Sequence, residues 1–132
     1  MPFYSDALVQ IEDRESVEDI QAITQRFVEQ CNPVKVFLFG SFADGSYTEH
    51  SDYDFYLVME DDSDLGEASS RAYKSIRYVG DRPVDIVLGT KTRFDNMSKS
   101  LDSLYVEGEV GRKGVLLYDN GRNDRLSQEI AV

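Results

Sequence analysis

Three aspartates occupy positions in the sequence where a carboxylate can do chemistry. Asp52 and Asp54 lie two residues apart at the start of an apolar run, and Asp85 interrupts a later run between Val84 and Ile86. Because side chains two apart in a strand point to the same face, the first two carboxylates would repel one another unless a cation lies between them. Such oxygen ligands suit Mg²⁺, which takes its remaining ligands from water and phosphate.

Each of these acids also has an ordinary structural explanation. Asp52 and Asp54 could form a solvated entrance to a strand, or Asp52 could serve as a cap. Asp85 could lie on an edge strand with its side chain in water, or it could pair with a base such as Arg82. The spacing of the three residues leaves these alternatives open.

A glycine and a serine follow directly after the apolar run 34–39. Gly40 would let the backbone approach a ligand closely, and Ser41 would offer a hydroxyl and free backbone N–H groups to a phosphate. A simple strand-to-helix turn would use the same two residues. The sequence contains neither a P-loop motif nor a Gly-x-Gly-x-x-Gly dinucleotide fingerprint, so these two classes of nucleotide site are excluded.

The apolar periodicity around these residues predicts one α/β domain. Strands alternating with helices favour a sandwich built around a single sheet. Strand directions are not fixed, since the 12 residues from 40 to 51 are at the lower limit for a parallel crossover. The predicted elements are a helix at 16–31 capped by Ser16, a strand at 34–39, a short helical turn or loop at 42–47, a strand at 53–59, a helix at 65–79 and a strand at 84–88. A short helix capped by Thr90 follows and ends at 97, then one more helix before Gly114, suggested by apolar residues from Leu101 onward, and an extended segment at 115–118.

The composition fits an intracellular globular protein. The 132 residues are 41% hydrophobic, and Cys31, the single cysteine, cannot form an internal disulfide. The sequence has no membrane-length apolar stretch and no signal-peptide pattern at its start, so we expect a cytoplasmic protein that does not enter the membrane. The net charge of −11 argues against non-specific nucleic-acid binding. It would suit a basic protein partner, or serve solubility alone.

Taken together, the motifs resemble the nucleotidyltransferase superfamily that includes DNA polymerase β. The shared pattern is Gly40-Ser41, then ten residues, then Asp52-x-Asp54, with Asp85 on a following strand. Its minimal nucleotidyltransferase branch is similar over 36–45 and 51–55, and again at 114–119. The resemblance implies a single nucleotidyltransferase domain over residues 1–132, with a core at about 16–119 and a mixed central sheet with flanking helices.

The resemblance also implies an activity and a set of roles. The enzyme would transfer NMP, foremost AMP from ATP, to an acceptor hydroxyl. Gly40 and Ser41 would hold the triphosphate. Asp52 and Asp54 would bind two divalent ions, Mg²⁺ or Mn²⁺. Asp85 would complete the metal site beside the acceptor hydroxyl and ease removal of its proton.

One position departs from the family pattern. A basic residue often precedes the second glycine of the motif, and this chain has Asp44 there. An anion cannot assist a phosphate, so the departure indicates altered nucleotide contacts, weaker activity or a side chain that faces away. Four other candidates are expected to be ordinary exposed residues: His50, Lys74, Arg77 and Lys91.

Three functions are compatible with the sequence. In the minimal branch, the enzyme is often paired with a helical HEPN protein as a toxin–antitoxin system and adds AMP to a tyrosine of the toxin. The few residues after Tyr118 favour this partner over a built-in acceptor domain. The second function is a small-molecule, aminoglycoside-type nucleotidyltransferase completed by a homo-oligomer partner. The third is a non-catalytic partner-binding subunit, which the departure at Asp44 keeps open.

Overall fold

A computed structural model describes residues 5–121 and confirms the predicted α/β class and element order. Four strands form one sheet with helices packed against it. The elements are a 3-10 turn at Ser5–Leu8, α1 (Arg14–Cys31), β1 (Lys35–Phe39), α2 (Ser41–Asp44), β2 (Tyr53–Met59), α3 (Leu65–Ser75), β3 (Val84–Thr90), α4 (Lys91–Met97), α5 (Val106–Lys113) and β4 (Val115–Asp119).

The sheet is mixed, with the strand order β3-β2-β1-β4. Strand β1 runs antiparallel to both β2 and β4, whereas β2 and β3 are parallel and are joined through α3. The end of β1 and the starts of the other three strands therefore meet at one end of the sheet. All three candidate aspartates lie along this line of strand ends, which we call the active edge.

The two faces of the sheet carry different helices. On one face, α1 and α3 pack on the larger apolar core, which includes Phe27, Leu38 and Phe55. On the other face, α4 and α5 contribute Phe94 and Val110 to a smaller core. Among the described residues, no helix combines the length and the apolar character needed to cross a bilayer.

Three predicted helix boundaries were wrong. The cap of α1 is Asp13, whose carboxylate accepts the Glu15 N–H at 3.2 Å, and Ser16 is buried beneath it as a donor to Asp13. Helix α3 ends at Ser75 and continues as turns to residue 79. Helix α5 begins only at Val106, and the leucines at 101 and 104, which suggested an earlier start, are 86% and 85% exposed.

Candidate active site

Asp54 and Asp85 lie side by side at the active edge. They are register partners on β2 and β3, and strand alternation points both toward the face that carries α4 and α5. Burial, followed by the charges of Asp85 and Asp52, raises the pKa of Asp54 from 3.8 to about 6. The fold therefore brings the like charges of Asp54 and Asp85 together, as the sequence pattern had suggested.

Asp52 precedes β2 and acts on Asp54 through its charge. Within residues 5–121, no three His, Cys, Asp or Glu side chains are arranged so that they could hold a metal ion together. Mg²⁺ does not need such a triad, since one or two carboxylates plus water and phosphate oxygens satisfy it. Two facing carboxylates with a third charge beside them therefore have suitable donor chemistry for a divalent cation.

Both the backbone conformation and the contact with Asp54 require a glycine at position 40. Its backbone has φ +73° and ψ −153°, a conformation essentially restricted to glycine. A Cβ at this position would overlap Oδ2 of Asp54. The β1–β2 register pairs Phe39 with Asp54, which brings the turn and the acid together. The glycine predicted to approach a ligand thus also makes room for an acid.

Ser41 follows as the first residue of α2 and is partly exposed. The carbonyl of Gly40 accepts the N–H groups of Ala43 and Asp44, each at 3.1 Å. The N–H groups of Ser41 and Phe42 come before these bonds, and the first amides of a helix have no partner within it. Ser41 stands next to the acid pair along the active edge.

Asp44 has a local structural task. Its Oδ1 accepts the hydroxyl of Ser46 at 2.6 Å and the N–H of Ser46 at 2.9 Å. These bonds, with a smaller effect from Lys113, lower the pKa of the Asp44 carboxyl. The side chain therefore builds the turn after α2, which accounts for an acid at this position without assigning it a ligand.

The other bases considered from sequence do not join the acids. Arg82 donates to the carbonyls of Thr48 and Ser51 at 2.9 and 2.8 Å and lies over the Phe42 ring, so it fastens the loop before Asp52. Asp85 is exposed, and it forms no ion pair with any residue that the structure describes. The alternative in which Asp85 pairs with Arg82 is therefore not observed. His50, Lys74 and Arg77 are exposed, and Lys91 bonds Asp95.

Two glutamates of α5 were missed from sequence. Glu109 is near enough to Asp54 for its charge to add to the raised pKa of that carboxyl. Glu107 is 2% exposed, and its Oε2 accepts the Tyr56 hydroxyl at 2.7 Å and Arg93 Nε at 3.1 Å. Although burial opposes it, these bonds keep the pKa of Glu107 below its usual value. Glu107 lies three residues before Val110, about one helical turn, so both face the sheet. This spacing could have predicted the burial of Glu107, but the helix was predicted to start too early.

The model of the nucleotidyltransferase domain family matches residues 20–108. The chain belongs to this family. No curated protein sequence matches it significantly. A crystal structure of a candidate nucleotidyltransferase from Sulfolobus solfataricus is similar with a TM-score of 0.50 and 19% identity, over 83% of this chain and 92% of that chain.

A crystal structure of a toxin–antitoxin with AMP-PNP has a TM-score of 0.48 and 18% identity to this nucleotidyltransferase domain, over 86% of this chain and 79% of that chain. At 19% identity, the likeness to the Sulfolobus structure concerns the fold alone. The family membership and the mixed four-stranded sheet confirm the resemblance and the fold class expected from the sequence.

Proposed function

We propose that this nucleotidyltransferase domain transfers NMP, foremost AMP from ATP, to an acceptor hydroxyl with two divalent ions, Mg²⁺ or Mn²⁺, as cofactors. One observation carries the proposal. Asp54 and Asp85 face one another at the active edge, and the Gly40 backbone lies against Asp54. A carboxylate pair beside a free-amide turn, in a chain of this family, suits the handling of a metal-bound triphosphate.

Each candidate residue would have a role that follows from its position. Asp52, Asp54 and Asp85 would share the two ions between them, with no ion held by all three, and the ions would neutralise charge on the attacking and leaving oxygens. Ser41 would bind phosphate oxygens through its hydroxyl and its N–H group, and the glycine at position 40 leaves room for Asp54 beside it. Asp85 lies on the edge strand β3 and is exposed, so the acceptor hydroxyl can reach it and pass on its proton there.

We also propose that the acceptor is a hydroxyl of a HEPN-type partner protein and that the chain acts as its antitoxin. The support is the similarity of 36–45 and 51–55 to the minimal branch. It is joined by the exposure of Asp85 at a sheet edge, where a hydroxyl carried by a large molecule can approach. The acidic chain, at a net charge of −11, would favour encounter with a basic partner.

The test is direct transfer. The full chain is incubated with Mg²⁺, each labelled NTP in turn, and either the candidate HEPN protein or aminoglycosides. Mass spectrometry should then find one added NMP on the protein partner, with ATP as the best donor. Asp62→Asn is a matched control, because Asp62 is exposed at the opposite edge of the sheet. Labelled aminoglycoside would redirect the proposal to small molecules, and transfer to neither would refute it.

A further inference from the structure

The end of α5 lies at the active edge. Strand β4 begins at Val115, which pairs with Leu38 near the end of β1. Helix α5 ends at Lys113, two residues before that pair, so Lys113 stands beside the strand end that leads into Gly40. The strand order places the acids on one side of Gly40 and the end of α5 on the other.

A cavity of about 310 Å³ adjoins this end of α5. Glu109, Arg112 and Lys113 line it from the helix, and Leu104 and Tyr105 line it from the preceding loop. Helix α5 packs on the face of the sheet to which Asp54 points, and the Glu109 charge adds to the raised pKa of Asp54, so the cavity opens on the same face as the acid pair. The lining thus combines cations with apolar and aromatic surface next to the candidate site.

Lys113 is the cation of this cavity that has no committed partner among residues 5–121. It forms no ion pair within that part of the chain, whereas Arg112 donates to the carbonyl of Ser100 at 2.6 Å. The charge of Lys113 contributes to the lowered pKa of Asp44 at the end of α2, so Lys113 lies on the same side as the Gly40–Ser41 turn. In a chain with a net charge of −11, a lysine at this place is available to an anion.

We propose that Lys113 binds the pyrophosphate part of the NTP, an inference that rests on the proposed function. In an in-line displacement, the acceptor oxygen bonds to the α-phosphorus while the bond to the bridging oxygen breaks. The acceptor proton leaves on the side of Asp85, and pyrophosphate departs with the bonding electron pair on the opposite side. The order Asp85, Asp54, Gly40, Lys113 along the active edge puts the lysine where that negative charge accumulates.

This role would also resolve the departure at Asp44. Where the family often has a base before the second glycine, this chain would supply the positive charge from the end of α5. Because Asp44 is held by Ser46, it can remain as a turn residue while Lys113 meets the phosphates.

The experiment measures binding separately from transfer. Isothermal titration of ATP, AMP and pyrophosphate with Mg²⁺ is done on the native chain, Lys113→Gln, Lys113→Arg and Lys74→Gln. Lys113→Gln should weaken ATP and pyrophosphate binding at least about tenfold, as expected for loss of a charged hydrogen bond, and should change AMP binding by less than about twofold. Lys113→Arg should recover most of the affinity. Lys74→Gln, exposed on α3 at the opposite face, should match the native chain.

The outcomes separate this inference from the proposed function. Unchanged ATP and pyrophosphate binding in Lys113→Gln, or equal weakening of AMP, would overturn the inference while leaving transfer intact. A native chain that binds ATP but transfers no NMP would refute the proposed function, and Lys113 would still be judged on binding. A native chain that binds no nucleotide would overturn both.

Discussion

Asp54 and Asp85 are register partners on the neighbouring parallel strands β2 and β3, and both side chains point to the face that carries α4 and α5. Burial and the charge of Asp85 beside it raise the pKa of Asp54 to about 6. The fold thus places an acid pair where a bound proton or a bound cation relieves the repulsion.

The metal-free protein should lose stability as the pH rises. The pKa of Asp54 is raised from 3.8 to about 6 in the folded state, so its contribution is fully present below about 4 and is lost as the pH passes 6. We expect the free energy of unfolding of the native chain, relative to Asp54→Asn, to fall between pH 4 and 7. Urea titrations in a chelator measure it, and a constant or rising difference would show that Asp54 does not hold its proton.

Divalent cations should stabilise the native fold. A ligand that binds only the folded form raises its stability with concentration, and the carboxylate pair offers such a site. The melting temperature of the native chain should rise with Mg²⁺ or Mn²⁺, and Asp54→Asn should show a much smaller rise. Asp62→Asn should behave like the native chain. If neither cation raised the native melting temperature, the assignment of these acids as metal ligands would fail.

Two glycines with positive φ provide a matched pair of substitutions. Gly40→Ala would strain the backbone by about 1–3 kcal/mol and would also push against Asp54 Oδ2. Gly45→Ala, at φ +87°, meets no atom within 4 Å and should cost only about 1–2 kcal/mol of backbone strain. NMP transfer at a temperature where both variants are folded should be lost in Gly40→Ala and kept in Gly45→Ala. Equal activities would separate Gly40 from the site.

The hydroxyl of Tyr56 explains why residue 89 is a glycine. A Cβ on Gly89 would overlap that hydroxyl, which donates to the buried Glu107. Gly89→Ala should therefore destabilise the fold strongly, and Tyr56→Phe should cost about 1–3 kcal/mol through the lost hydrogen bond. The double variant should be more stable than the sum predicts, because removal of the hydroxyl partly relieves the overlap. Additive unfolding free energies would contradict this packing.

Local patterns predicted most of the fold. Strand β2 was placed at its observed limits, 53–59, because an apolar β-branched and aromatic run is bounded by polar residues. Helix α4 was likewise placed correctly from the Thr90 cap, whose side chain accepts the Arg93 N–H at 3.3 Å. In both cases the signal lies within about ten residues of the element that it specifies.

The errors and omissions depend on distant contacts. Leu101 and Leu104 have helical spacing yet are exposed, and spacing alone cannot reveal burial. The approach of Glu109 to Asp54 arises only when α5 packs on the sheet, 55 residues further along the chain. Similarly, the pairing of Asp54 with Asp85 requires the parallel register of β2 and β3, which the sequence left open.

Asp85→Asn tests the central claim most directly, with melting curves and NMP transfer measured on the same preparation. The substitution keeps the volume and removes the charge and basicity, so transfer should fall by at least about 10²–10⁴-fold. The metal-free melting temperature should stay the same or rise, because an anion that repels Asp54 is gone. A stable Asp85→Asn variant that transfers NMP at the native rate would contradict the assignment of these paired acids to the chemistry.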